Sequence, residues 1–157
     1  MATPTDDLVE TITAYLAAAL PAELAAEGLP AVKEFLNHDP ALLVLTKAPQ
    51  VWVDVPADER SSAAERGATL HKYSHETTIL VAITGAGPDA QTAIRHLRKS
   101  ADLIRKVLEG NQTLSGLTLW VRWLRTDYSV NMGAQTSLFK EATLTFDINR
   151  RTKPGAA

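Results

Sequence analysis

The chain has 157 residues, 45% of them hydrophobic and 22% charged, which fits one soluble globular domain and leaves little room for two. It has no cysteine, which excludes a disulfide framework, a thiol nucleophile and thiolate metal sites, and its formal net charge of -2 gives no bulk reason to expect nucleic-acid or membrane binding. No apolar run approaches the ~18 residues needed to span a bilayer, and Asp6 and Asp7 stand where an export signal would carry positive charge.

The first predicted element is a helix. Thr3 suits its cap, Pro4 its first position, and Asp6 and Asp7 its positive end. Leu8, Ile12, Tyr15, Leu16, Ala19 and Leu20 then mark one apolar face, ending near Pro21. Over 22–49 the pattern breaks at Gly28 and Pro30. Val32, Phe35 and Leu36 suggest a short helix, and Asp39-Pro40 starts a turn or an extended segment through Leu42, Val44 and Leu45. Val51 to Val55 reads as a strand closed by Pro56.

Residues 57–73 are polar, small and charged and read as a long loop, too poor in apolar residues for a core of its own and expected to be ordered by a neighbour or partner. Over 75–84, Thr77, Ile79, Val81 and Ile83 share one face of a strand. A Gly85–Asp89 turn leads into a helix carrying Ala93, Ile94, Leu97, Ala101, Ile104 and Leu108, stopped by Gly110 and Asn111. Two alternating strands follow, Leu117–Leu124 and Leu138–Ile148, joined by a polar connection from Tyr128 to Ser137, and together they read as an antiparallel hairpin. The fold class is therefore α+β: a mainly antiparallel sheet of about four strands, with an N-terminal helix and a second long helix on one face.

Catalytic motifs are weak. Gly85-Ala86-Gly87-Pro88-Asp89-Ala90 matches a dinucleotide-binding glycine fingerprint between a strand and a helix. Asp89 would place negative charge beside the phosphates, and the following strands read as antiparallel, so a tight strand-to-helix turn explains it better. His71 and His75 are four apart, but lie where a loop enters a strand and have no third ligand. His96 reads as part of a solvated helix face and His38 as part of a turn. No serine lies in a nucleophile elbow, and Asp54, Asp58 and Glu59 read as solvated carboxylates. No catalytic set, metal or cofactor is expected. The second helix carries Arg95, Arg98, Lys99, Arg105 and Lys106 outward, with Arg150, Arg151 and Lys153 near the end of the chain, but no aromatic side chain interleaves the helix stripe to stack on bases.

Interface chemistry is better represented. Trp120 lies opposite Val121 and Trp123 on its strand and beside Arg122, a pairing that protein interfaces enrich. The candidate interface positions are Trp52, Trp120 and Arg122 on strands, Arg60 and Arg66 in the 57–73 loop, and Tyr128, Asn131 and Met132 in the 128–137 connection.

From Thr77 to Arg151 the pattern resembles the tail terminator (tail completion) proteins of long-tailed bacteriophages. The stretches that carry the likeness are Leu103-Ile104-Arg105-Lys106-Val107-Leu108, Leu114-Ser115-Gly116-Leu117, Trp120-Val121-Arg122-Trp123 and Ala142-Thr143-Leu144-Thr145-Phe146-Asp147-Ile148. Residues 22–49 depart from it by their length. The resemblance implies a structural, non-enzymatic virion protein at the tail neck, assembled in the host cytoplasm. It implies a homohexameric ring that ends the tail tube, partnered by the tail tube protein and the head connector protein, with DNA passing through its channel without specific binding and no membrane partner. Another head–tail connector or a tail-tube protein is the nearest alternative, and a small nucleotide-binding enzyme using Gly85 and Gly87 is the alternative from a different class.

Overall fold

The computed structural model describes residues 4–40, 47–60, 73–85, 89–114, 116–118, 120–132 and 138–152. In chain order the elements are α1 (Pro4–Ala26), β1 (Glu34–Leu36), β2 (Gln50–Arg60), β3 (Tyr73–Gly85), α2 (Ala90–Glu109), β4 (Trp120–Met132) and β5 (Leu138–Thr152). The five strands form one sheet in the order β1-β2-β3-β5-β4, with only β1 parallel to its neighbour. Both helices pack on the same face, giving the α+β architecture expected, with one strand more.

α1 does not stop at Pro21. Leu8, Ile12, Leu16, Leu20 and Leu24 recur every fourth residue and are all essentially fully buried, so continuing the helix past Pro21 adds Leu24 to the stripe. Pro21 itself is exposed, where water can serve the carbonyl whose partner N–H it lacks. The helix ends in a glycine cap. Gly28 takes φ +67, its N–H donates to the Ala25 carbonyl at 3.1 Å, and the Leu29 N–H donates to the Leu24 carbonyl at 2.9 Å. Thr5–Ala26 thereby becomes, by length and composition, apolar enough to cross a membrane, which a helix ending near Pro21 was not; here its stripe is buried on the sheet.

The short helix expected around Phe35 is strand β1. Phe35 pairs with Val51 and packs on the core, and the Gln50 Nε2 donates to the Glu34 carboxylate at 2.8 Å. Tertiary pairing here outweighs local propensity. β2 continues through Pro56, which sits in a register irregularity between Asp54 and Ala57, where a strand tolerates a missing N–H. The loop expected over 57–73 loses 57–60 to β2 and Tyr73 to β3. The expectations for Thr3, for Leu42, Val44 and Leu45, and for the middle of that loop lie outside the described residues.

β3 and β5 are the central partners. On the helix side Thr77, Ile79, Val81 and Ile83 lie opposite Ile148, Phe146, Leu144 and Ala142, and all eight are buried. α2 lays Ala93, Leu97, Ala101, Ile104 and Leu108 on this surface. Its N-cap is Asp89, whose Oδ1 accepts the Thr92 N–H at 2.7 Å; that bond, with the Thr92 hydroxyl on Oδ2, holds the carboxyl below its ordinary range. The helix approaches β3 so closely that a Cβ at Gly85 would meet Leu97 Cδ1 at 3.3 Å.

The hairpin differs from expectation at both ends. β4 begins at Trp120 rather than Leu117 and runs to Met132, taking in Tyr128, Asn131 and Met132, which had read as a connection. A bulge between Trp123 and Arg125 is the reason: one extra residue breaks the period-two pattern from which the strand end was read. Replacing Leu97 with Ala should cost about 2–5 kcal/mol, since it empties a fully enclosed site between α2 and Gly85. Thermal or denaturant unfolding reads this; an unchanged midpoint would mean that α2 is not docked as described.

Candidate assembly interface

β4 is an edge strand with one described partner, β5. Trp120 is half-buried on the sheet face away from the helices, paired with Asn149. The Arg122 guanidinium lies 4.9 Å from the Trp120 ring centroid and reaches Asp147 at 3.0 Å. On the helix side, Arg105 of α2 stacks on Trp123 at 3.8 Å, and the Trp123 indole N–H donates to the Thr126 hydroxyl at 2.9 Å. Between these two stacked pairs and the far end of the strand, Leu124 is 48% exposed and Tyr128 44% exposed. Arg125 pairs with Asp127 at 3.0 Å, yet its side chain remains largely in solvent. Tyr128 feels Asp102 and Arg98 of α2, and its hydroxyl is pushed above the ordinary range, chiefly by partial burial and then by Asp102.

The start of this edge is closed from within. The Gln112 carboxamide accepts the Val121 N–H and donates to the Val121 carbonyl, both at 3.0 Å, so it stands in for a strand residue. Its Nε2 also reaches the Glu109 carbonyl at 2.7 Å, and its own backbone carbonyl accepts the Thr118 hydroxyl at 2.7 Å.

The eight expected interface residues do not form one cluster. Trp120 and Arg122 meet. Tyr128 lies further along β4, and Asn131 and Met132 close that strand opposite Phe139 and Leu138. Arg60 pairs with His75 at the Trp120 end of the strands but on β2, with β3 and β5 between it and β4, and Arg66 lies outside the described residues. Trp52 is on β2, facing away from the helices opposite Ala82, and is only 6% exposed in the single chain.

Sequence reading gave no special role to Leu124, Arg125 or Gln112; the break in alternation at Leu124-Arg125 was the available sign. It also missed a cleft of about 350 Å³ at the other edge of the sheet, lined by Thr5, Asp6, Val9, Glu10, Asn37, Asp54 and Val55.

The remaining motifs are occupied by structure. Asp89 spends its carboxylate on the α2 N-terminus, where a phosphate would have to sit. His96, expected on a solvated face, is half-buried, and its Nδ1 has no partner among the described residues. His38 hydrogen-bonds Asn37. His71, and the side chain of His75, lie outside the described residues. Among the described residues no three His, Asp or Glu side chains are grouped to hold a metal ion.

No protein-family profile and no curated protein matches this sequence. Among solved structures, the chain is similar to one from a structure described as the virion of native gene transfer agent (GTA) particle. The match covers 92% of this chain and 95% of that one, with a TM-score of 0.55 at 14% identity. What the two chains share is the fold. The likeness spans both helices and the sheet rather than one motif, so the β4 edge belongs to an architecture that also occurs in a virion particle.

Two outcomes test the local geometry. Gln112→Ala removes the groups that occupy the Val121 edge and should cost about 1–2 kcal/mol by thermal unfolding. A change near zero would show that water replaces the carboxamide fully. The second concerns Glu141, whose carboxyl burial pushes up, opposed by the Thr143 hydroxyl and reinforced by Asp39. A carboxyl raised in the folded state favours folding below its unfolded value, 4.5, and this is lost as pH rises through the raised value. Glu141→Gln should therefore raise Tm at neutral pH and do little below pH 4.5. A gain of equal size at both ends of the pH range would contradict the burial.

Proposed function

We propose that this chain is a structural subunit of a phage-like virion, and specifically the tail terminator. On this reading it forms a homohexameric ring that ends the tail tube and joins it to the head connector at the neck. The observation that carries the reading is the shared fold over nearly the whole of both chains with a component of a GTA virion particle. The finer reading rests on the resemblance of the pattern from Thr77 to Arg151 to tail terminators. The β4 edge supplies what an assembly subunit needs, exposed apolar side chains among arginines on a long strand.

DNA traverses such a ring without being read. The outward residues of α2, Arg95, Arg98 and Lys99, are exposed. A channel through which DNA moves is poorly served by tight phosphate clamps, because each adds sequence-independent affinity. Carboxylates of a neighbouring subunit are better partners for these cations. Electron micrographs of tails carrying the protein should show one ring at the neck. Density along the whole tube would replace this reading with a tube protein, and density confined to the portal side with a connector.

A further inference from the structure

α1 carries Asp6, Asp7, Glu10 and Glu23 and no lysine or arginine, whereas α2 carries Arg95, Arg98, Lys99, Arg105 and Lys106 against Asp102 and Glu109. Charge is thus divided between the helices, which meet at the Lys106–Glu23 pair, while Asp6 and Glu10 lie at the β1–β2 side of the sheet. On the β1–β2 side the α1 N-terminus meets Asn37 and Asp54 in an open cleft whose apolar lining is Val9 and Val55. On the β4 side Arg122 and Arg125 flank the exposed Leu124, with Tyr128 beyond. Four interstrand gaps separate these edges, about 19 Å, so they cannot meet within one chain.

We propose that the β4 edge of one copy docks into the acidic cleft of the next. Leu124 enters between Val9 and Val55, and Arg122 and Arg125 face Asp6, Glu10 and Asp54. This rests on the reading of the chain as an assembly subunit and names the contact that joins the subunits. Three features select a second copy as the occupant. Each patch sets apolar side chains beside charge, exposed arginines on β4 and carboxylates at the cleft. The patches lie on opposite edges of one sheet, which makes the contact head-to-tail, the kind that propagates and closes into rings. The two arginines stay largely solvent-exposed although each has a carboxylate partner, so their remaining N–H donors are available to a neighbour. Asp6 and Asp7 also suit the helix N-terminus electrostatically. That role does not explain Glu10, a turn further on; Asp54, from another element, accepts the Val55 N–H on Oδ1 at 2.8 Å and stays exposed.

The full chain is tested by sedimentation and light scattering over a range of concentration and salt. Wild type should self-associate, more weakly as salt rises. Arg122→Glu with Arg125→Glu, and separately Glu10→Lys with Asp54→Lys, should each weaken association by at least about tenfold. Mixing the two double variants should restore it, because every contact between unlike chains is then complementary. Melting curves show that each variant folds, and Arg122→Gln with Arg125→Gln supplies a version without new repulsion. A wild type that stays monomeric, charge-reversed variants that associate as wild type does, or folded variants whose mixture stays apart would each overturn the proposal. Because the chain has no cysteine, Glu10→Cys and Leu124→Cys chains give a second readout. Oxidation should link one of each, and links only between identical chains would count against it. Micrographs of the particle report where the subunit sits, and these experiments report which edges touch, so either reading can fail without the other.

Discussion

Thirteen residue pairs join β3 to β5, from Tyr73 with Thr152 to Gly85 with Lys140, and everything else is arranged around that ladder. Its helix-facing rows are apolar except at Thr77, with Phe146 the largest side chain among them. Full burial of one such large apolar side chain contributes roughly 1.5–3 kcal/mol. α2 can seat on these rows because Gly85 and Ala93 leave room for Leu97, and α1 adds its leucine stripe alongside. The helices are tied to each other by the Tyr15 hydroxyl, which donates to the Val107 carbonyl at 3.3 Å, and by Lys106 with Glu23. The second of these is an exposed pair that contributes little. The helix layer is therefore held by apolar burial on the central strands, and the outer strands β1, β2 and β4 take their positions from them.

Those central elements were legible in the sequence because each obeys one period throughout. Leu97, Ala101, Ile104 and Leu108 keep helical spacing, and Leu144, Phe146 and Ile148 keep strict alternation. The features that were not legible all depend on a partner distant in sequence. β1 is a strand because Val51 lies beside Phe35. α1 survives Pro21 because Leu24 finds the core. β2 survives Pro56 because its register shifts there. The candidate interface was legible in part. Trp120 and Arg122 are two apart on one strand, so alternation alone brought them together. Leu124 and Arg125 entered the site through a bulge, and the cleft unites residues from α1, from the end of β1 and from β2, which no local pattern connects.

The two edges of the sheet are built differently. β1 has three residues, too short to template another strand, and is backed by Glu34 and Gln50. β4 has thirteen and would be the hazardous edge. Its outward groups at Val121 are taken by Gln112, its middle is bent by the bulge, and Arg125 and Asp127 place charge along it. Each is a known means of discouraging strand addition. Leaving Leu124 and Tyr128 exposed on the same strand works against solubility unless they are covered. Together these features favour contact through side chains over extension of the ladder.

That distinction bears on what the subunit can assemble. If β4 accepted a strand from a neighbour, the two sheets would merge, and adjacent strands would be rotated by roughly 20–25° in a fixed sense. The angle between copies would then be set by backbone geometry, and a chain of such contacts would tend towards an open fibre. Side-chain docking between an edge carrying exposed apolar side chains and arginines and a cleft lined by carboxylates carries no such constraint. The angle is decided by the shape of the two patches, and a head-to-tail contact closes only when that angle is right. A blocked edge strand with exposed side chains is thus the more suitable design for a closed ring, and the closure at Gln112 and the bulge at Leu124 are the two local devices that make it so.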